Sequence, residues 1–467
     1  MNELLRKDAA EMANLLEQVK LQGVHYLEQV SQRSTNAQQA VALQHVLPAE
    51  GVGAEAALRE FNQRFEPVMA ATSGPRYWGF VTGGSTPASI AGDWLTSVYD
   101  QNSFAVKGLG DISANIELET IQLLLNLLEL PGDFLGGFVT GATMSNFTCL
   151  AVARQWVGKQ SGEDIAKDGL SGPVHILSAT PHSSAIKSLS LLGIGSNQLI
   201  AVKTEEGNRE SMLVADLENK IAALHGQPFI LISSGGTVNT VDFDDFAAIA
   251  VLKNKYNFWW HIDAAFGGFA ACSDAHKHLL KGWEGADSIT VDCHKWLNVP
   301  YESAVFLVKN QHRLLQVETF QNSNAPYLGD PLENFSYMNF LPENSRRLKA
   351  LPAWFSLKAY GKQGYKDIVE NCIGLAQQFG QYIAQSPHFE LLAPVRLNTV
   401  CFTLKQPDGA DRATEFLHQL NSTGKVFMTP TVYKGKKGIR AALVNWRTTA
   451  DDLHIVQTLM EQVIAKL

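Results

Sequence analysis

The chain has 467 residues, 45% of them hydrophobic and 18% charged, with a formal net charge of −8. This composition fits a globular protein with a large core and excludes a disordered chain. The acidic balance, with no basic face evident, argues against nucleic acid or an anionic membrane surface as a partner.

The five cysteines (Cys149, Cys272, Cys293, Cys372, Cys401) are scattered without a CxxC pair, which suits free thiols in a reducing compartment. Residues 1–30 carry acidic groups from Glu3 onward and show no leader-like apolar core, and no run of about 18 apolar residues occurs. The expectation is a cytoplasmic protein with no membrane span.

In chain order, residues 3–32 carry Leu4, Leu5, Met12, Leu15, Leu16, Val19 and Leu21 at helical spacing. A polar link near 31–40 and Pro48 precede a second short helix around 54–65. Neither helix can bury its apolar side alone. Residues 74–87, GPRYWGFVTGGSTP, are aromatic and then glycine-rich, but lack the lysine and spacing of a phosphate-binding P-loop. Their aromatic side chains are equally suited to packing a loop onto the core. Residues 116–130 read as an apolar helix ending before Pro131-Gly132. GGFVTGATMSN (136–146) precedes a further apolar helix reaching about Trp156. Small residues at a helix start leave N–H groups free to hold a phosphate; a plain glycine turn is the competing reading.

From residue 174, strand-like runs at 174–177, 199–203 and 229–232 alternate with helices near 183–192 and 214–224, a βαβ pattern implying a mostly parallel sheet. Ligands of such sheets sit outside the C-terminal strand ends. His182, Thr237, Asp263 and Lys295 all fall just after expected strands. In FWWHIDAAFGGFA (258–270) a buried strand delivers Asp263, a carboxylate costly to bury without a cationic partner. The protonated ring nitrogen of pyridoxal phosphate is such a partner, and Ala265 leaves room for a flat ring; capping of the next helix is the alternative for the acid. In GADSITVDCHKWLNVP (285–300) a short strand is followed by Asp292, Cys293, His294 and Lys295. Desolvation at a buried strand end lowers a lysine pKa, and such a lysine can hold an aldehyde as an imine.

The acids Asp242, Asp244 and Asp245 read as a solvated helix N-terminus rather than a metal site. Residues 320–345 show no periodicity, and a segment of that length inside a compact domain is usually functional or disordered. Beyond Arg346 and Arg347, helix 365–384, strands near 389–393, 399–404, 424–428 and 438–444, and helices 411–420 and 450–466 make a small α/β unit containing Arg440 and Arg447.

Four segments, TPHSSAIKS (180–188), HIDAAFGG (261–268), DSITVDCHKW (287–296) and SRRLKALPAWFSLKAYG (345–361), together resemble the group II pyridoxal-phosphate-dependent amino-acid decarboxylases, the family of the aromatic amino acid, histidine and glutamate decarboxylases. The similarity runs from about Pro75 to the C-terminus. It implies an α/β fold of the pyridoxal-phosphate-dependent transferase type I (aspartate aminotransferase-like). An N-terminal helical segment, 1–73, would pack on a partner subunit. A large cofactor-binding domain with a mostly parallel sheet would span 74–345, and a small C-terminal α/β domain 346–467.

The resemblance also implies that pyridoxal 5'-phosphate forms a Schiff base with Lys295, pairs its ring nitrogen with Asp263, and lies between His182 and Ala265. Ala142 and Thr143 would grip its phosphate, Thr237 would approach its ring oxygen, and His294 would join the cofactor contacts. The family usually reads GTT where this chain has Gly236-Thr237-Val238, so the second hydroxyl is missing. A mobile-loop tyrosine would protonate the substrate carbon; Tyr337 is the better match and Tyr327 the runner-up. Tyr77, Trp78, Phe80 and Thr82 would line the substrate pocket. Arg346 would meet a substrate carboxylate, with a salt bridge as its competing reading. The implied activity is that of a lyase of amino-acid metabolism, decarboxylation of an L-amino acid to its amine by a homodimer with shared sites and no metal. The alternatives are an aminotransferase, with Arg440 clamping the substrate carboxylate, or another carbon–carbon lyase.

Overall fold

The computed structural model describes residues 2–37, 39–104, 112–321, 335–405 and 412–467. Runs rich in Val, Ile, Leu and aromatic residues pair into a seven-stranded sheet of β1 (Phe134–Val139), β2 (His175–Ser178), β3 (Leu199–Ala201), β4 (Phe229–Ser234), β5 (Trp259–Asp263), β6 (Ser288–Val291) and β7 (Ala304–Lys309). Their order is β1-β7-β6-β5-β4-β2-β3. From β3 to β6 every pair is parallel, as the βαβ pattern implies; β7 runs antiparallel to both β6 and β1. Helices cover the sheet, so β4 and β6 are buried at every residue and read as continuous apolar runs rather than alternating ones.

Because β2, β4, β5 and β6 point the same way, their C-terminal ends share one edge. The turns leaving that edge carry His182, Thr237, Ala265 and Lys295. β1 points the same way as β6, so the helix that follows it, Ala142–Gln160, also starts at this edge.

A second, antiparallel sheet consists of β8 (Phe389–Leu391), β9 (Thr399–Leu404), β10 (Thr429–Tyr433) and β11 (Lys436–Ala442), ordered β10-β11-β9-β8. The strand expected near 424–428 lies later, at β10. The 36-residue helix Ala350–Gln385 kinks at Gly361, where φ is 57°. Its first half packs Ala353 and Leu357 into the core of the large sheet, and its last turns pack Phe379 and Ile383 into the core of the small one. The two cores therefore share one helix.

The N-terminal helix expected over 3–32 is broken at Glu11 into Glu3–Ala10 and Met12–Gln29. Neither it nor the helix Ala54–Arg64 has a single buried residue, and Leu5, Leu16, Leu21 and Val24 are exposed. Among the described residues, no helix is long and apolar enough to cross a membrane.

Candidate active site

Asp263 ends β5 half-buried. Its Oδ1 accepts the Ala265 N–H at 3.2 Å, and its Oδ2 accepts from Asn146 Nδ2 at 3.0 Å. Ala265 itself is buried beside it. One strand over, the turn after β6 presents Lys295, whose Nζ lies 5.7 Å from the Phe266 ring centre and 3.0 Å from Asp292 Oδ2. Apolar bulk therefore flanks the amine as expected, but an unexpected carboxylate also holds it. Asp292 is buried. Burial pushes its pKa up, yet Lys295 and His294, whose Nε2 is 3.4 Å away, outweigh that and hold it below the usual carboxylate range. Asp292 Oδ1 also accepts the Ala142 N–H at 3.0 Å.

That bond bears on the expected phosphate contacts. The Ala142 N–H is committed to Asp292, whereas Thr143, next on the helix, is half-buried. His294 packs its ring against Tyr301, with 4.2 Å between centroids.

His182 caps the helix Ser183–Leu191. Its Nδ1 accepts the Ser184 N–H at 3.2 Å and lies 2.7 Å from Ser184 Oγ. The ring faces the open cavity, and the protein packed around it lowers its pKa, with Asp263 opposing. Thr237 donates its hydroxyl to Glu210 Oε2 at 2.6 Å, as does Thr240. Arg440 approaches from β11 of the second sheet. Its Nη1 donates to Val238 O at 3.1 Å, its buried Nε has no partner among the described residues, and burial lowers its pKa.

His182, Thr237, Asp263, Ala265 and Lys295 line one cavity of about 480 Å³, together with Phe80, Glu210 and Arg440. The volume is in the range of small-molecule sites. An acid at a strand end, a small residue beside it, an imidazole and an amine in one cavity fit the ring nitrogen, flat face and aldehyde of pyridoxal phosphate.

Other expected site residues stand elsewhere. Trp78 is buried in the core of the small sheet, its indole N–H bonded to Pro75 O at 2.9 Å and its ring against Phe379. Tyr77 stacks on Phe427 at 4.8 Å, and the buried Thr82 hydroxyl meets Tyr301 Oη at 3.2 Å. Of the four residues expected to line the substrate pocket, only Phe80 lines the cavity. Tyr337 is fully buried and donates its hydroxyl to Gly136 O at 3.1 Å, so it cannot reach the cavity. Tyr327 lies outside the described residues.

Arg346, whose guanidinium sits 4.5 Å from the Tyr337 ring centre, makes a bidentate pair with buried Glu117 at 2.6 and 3.1 Å and also donates to Phe138 O and Ser103 O. For Arg346 the salt bridge is what forms: the side chain is buried on Glu117 and does not line the cavity. The acids at 242–245 also differ from expectation. Asp245 caps the helix Phe246–Lys255, whereas Asp242 is buried against Arg209 and Asp244 is buried against the N–H groups of Ser234 and Met212.

Three functional candidates were missed: Asn146, Glu210 and Asp292. Asp292 directly follows β6, so the strand-end rule already pointed to it; Glu210 stands nine residues beyond β3 and carried no such signal. Asn146 carries no signal beyond its place near the start of a helix at the same edge.

The fold and the cavity define the class. In a comparison with solved structures, "Oryza sativa TDC with PLP and tryptamine" superposes with a TM-score of 0.89, covering 98% of both chains at 21% identity. Mouse CSAD superposes at 0.83, covering 97% of this chain and 99% of its own, at 22% identity. The architecture is that of the type I pyridoxal-phosphate-dependent transferases.

Residues 37–405 match the model of the pyridoxal-dependent decarboxylase conserved domain. An aromatic-L-amino-acid decarboxylase of Bacillus atrophaeus is 28% identical over 420 residues, 87% of this chain and 85% of the relative. Tyrosine decarboxylase 2 of Arabidopsis thaliana is 28% identical over 408 residues, 83% of this chain and 73% of the relative. The chain belongs to the pyridoxal-dependent decarboxylase family: it is a carboxy-lyase whose cofactor is pyridoxal 5'-phosphate.

Proposed function

We propose that the protein converts an L-amino acid to the corresponding amine with Lys295 as the residue that holds the cofactor. The observation that carries this reading is the meeting of Lys295, Asp263 and His182, far apart in sequence, in one cavity at the C-terminal strand edge. When bound, the cofactor supplies an electron sink for the pair left on the α-carbon as carbon dioxide departs. Lys295 Nζ is the amine for its aldehyde, and Asp292 at 3.0 Å holds that amine in place. Asp263, oriented by Asn146 and the Ala265 N–H, is the acceptor for the ring N–H. A fixed carboxylate at that point favours the protonated ring. Thr143 and His294, at the same strand edge, are the candidates for the phosphate. Arg440, whose side chain lines the cavity, is the candidate cation for a substrate carboxylate.

Arg440 also favours a second reading, transamination, because an arginine that pins the α-carboxylate decides which bond at the α-carbon is broken. Incubating holoenzyme with aromatic and acidic L-amino acids and measuring carbon dioxide against keto acid separates the two. Carbon dioxide matched by amine supports decarboxylation, and keto acid without carbon dioxide overturns it.

The exposed apolar residues of the N-terminal helices support a homodimer in which those helices pack on the partner subunit. Sedimentation at the mass of a single 51.2 kDa chain would exclude it. The scattered free cysteines favour the cytoplasm; fractionation of the source cells tests that placement.

A further inference from the structure

We infer that Asn146 is a positioning residue: from a buried position it joins Asp263 and His182 in one hydrogen-bond chain of fixed direction, which holds His182 as the tautomer protonated on Nε2. The geometry stands by itself; its use in catalysis rests on the decarboxylase reading above.

Asn146 is fully buried. Its Nδ2 donates to Asp263 Oδ2 at 3.0 Å and to Ser184 Oγ at 3.1 Å. Its Oδ1 lies 2.9 Å from His261 Nε2 and accepts the Thr290 hydroxyl at 2.7 Å. The Asp263 end sets the direction of this chain, and the Trp259 end agrees with it. At one end the Asp263 carboxylate can only accept, so the amide must turn its NH₂ there and its oxygen to His261. His261 Nε2 then carries the ring proton and Nδ1 is bare. At the other end the Trp259 indole can only donate, and Ser288 Oγ accepts it at 2.9 Å. The Ser288 proton is then available to the bare His261 Nδ1, also 2.9 Å away. The amide end assigns this tautomer, and the serine end is compatible with it. Burial pushes the His261 pKa down to about 4, so the ring is neutral at physiological pH.

The second branch reaches the cavity. Ser184 Oγ accepts from Asn146, so its own proton is available to His182 Nδ1 at 2.7 Å. The Ser184 N–H, which can only donate, meets the same nitrogen at 3.2 Å. Nδ1 is therefore bare, and the neutral ring bears its proton on Nε2, which has no partner among the described residues and belongs to the cavity wall. The charged groups acting on the ring are Asp263, Lys295, Arg440 and Asp292, and none of them occupies Nδ1. His182 thus offers the cavity a hydrogen-bond donor, and the same asparagine that sets this holds Asp263 in place.

The test is a nitrogen-15 NMR spectrum of holoenzyme labelled in histidine, with the His182 signals identified by their loss in His182→Gln. Near neutral pH the expected pattern is a protonated Nε2 and a bare Nδ1. A proton on Nδ1, or on both nitrogens, overturns the inference. Asn146→Asp keeps the shape but cannot donate to Asp263 and Ser184 together. It is expected to move the His182 signals and to shift the pH titration of the bound-cofactor absorbance by about one unit or more, with far-UV circular dichroism retained. Unchanged signals and titration in that variant also overturn the inference. Should the variant fail to fold, Ser184→Ala, which breaks the link to Asn146 but keeps the Ser184 N–H, carries the same expectation for the His182 signals, and unchanged signals overturn the inference. Carbon dioxide release measured on the same samples tests the decarboxylase reading separately, because the tautomer does not depend on which reaction follows.

Discussion

At the scale of single residues, what a side chain can do follows from its hydrogen bonds. Tyr337 spends its hydroxyl on Gly136 O inside the core, and burial, with Glu117 adding to it, raises its pKa well above the usual phenol value. Tyr337→Phe should therefore leave carbon dioxide release within about twofold and cost only about 1 kcal/mol of stability. A hundredfold loss of turnover with cofactor still bound would restore a catalytic role. Its neighbour Arg346 is pinned by Glu117, which is itself fully buried. Glu117→Ala strands a buried guanidinium and should cost about 3–5 kcal/mol, measured as a lower urea midpoint; a loss under about 1 kcal/mol would mean the pair is not formed. The contrast with Lys295, Asp263 and His182 shows what was legible. Those three follow apolar strand runs, and a parallel sheet gathers such ends at one edge. Tyr337 and Arg346 rested on the family resemblance alone, which does not say whether a side chain turns to the cavity or to the core.

At the scale of elements, glycine misled where it served packing rather than turning. The pair Gly136-Gly137 read as loop but lies within β1, which pairs with β7. A Cβ at Gly137 would stand 2.9 Å from both the Phe306 and Tyr337 rings, and one at Gly136 would stand 2.8 Å from Leu307. These positions are small because neighbouring side chains cross above them. Gly137→Ala should cost about 1–3 kcal/mol through overpacking, read by thermal or urea unfolding; an unchanged midpoint would show that the rings move aside freely. The segment around Trp78 misled in the opposite way. Its aromatics suggested a pocket wall, yet its backbone bridges to Phe427 and its indole fills the core of the second sheet. Strands β2, β4, β5 and β6 were legible because burial on both faces leaves an unbroken apolar run in the sequence.

At the scale of the whole molecule, the buried ionisable groups under the large sheet make stability depend on pH. Burial holds the His261 pKa at about 4 in the folded chain. An unfolded histidine titrates near 6.5, so the unfolded state takes up a proton that the folded state refuses. The contribution of His261 is therefore complete above about pH 6.5 and falls as the pH drops toward 4, by roughly 3 kcal/mol in all. Asp244 runs the other way: burial raises its pKa from 3.8 to about 6, so its contribution falls as the pH rises through that interval. The two slopes oppose each other in the wild type, so the difference from His261→Gln is the informative quantity. Between about pH 7 and about pH 4.5, wild type should lose more unfolding free energy than the variant, by about 2 kcal/mol. Equal losses would contradict the buried neutral state of that ring.

The central claim is that this fold brings Lys295 to an aldehyde cofactor held by Asp263 and His182, and reduction tests it most directly. Holoenzyme treated with borohydride and digested should yield a single pyridoxyl-modified peptide, with the added mass on Lys295, and Lys295→Ala should yield none and release no carbon dioxide. A pyridoxyl group on any other lysine, or a Lys295→Ala protein that still binds the cofactor covalently and turns over, would contradict it.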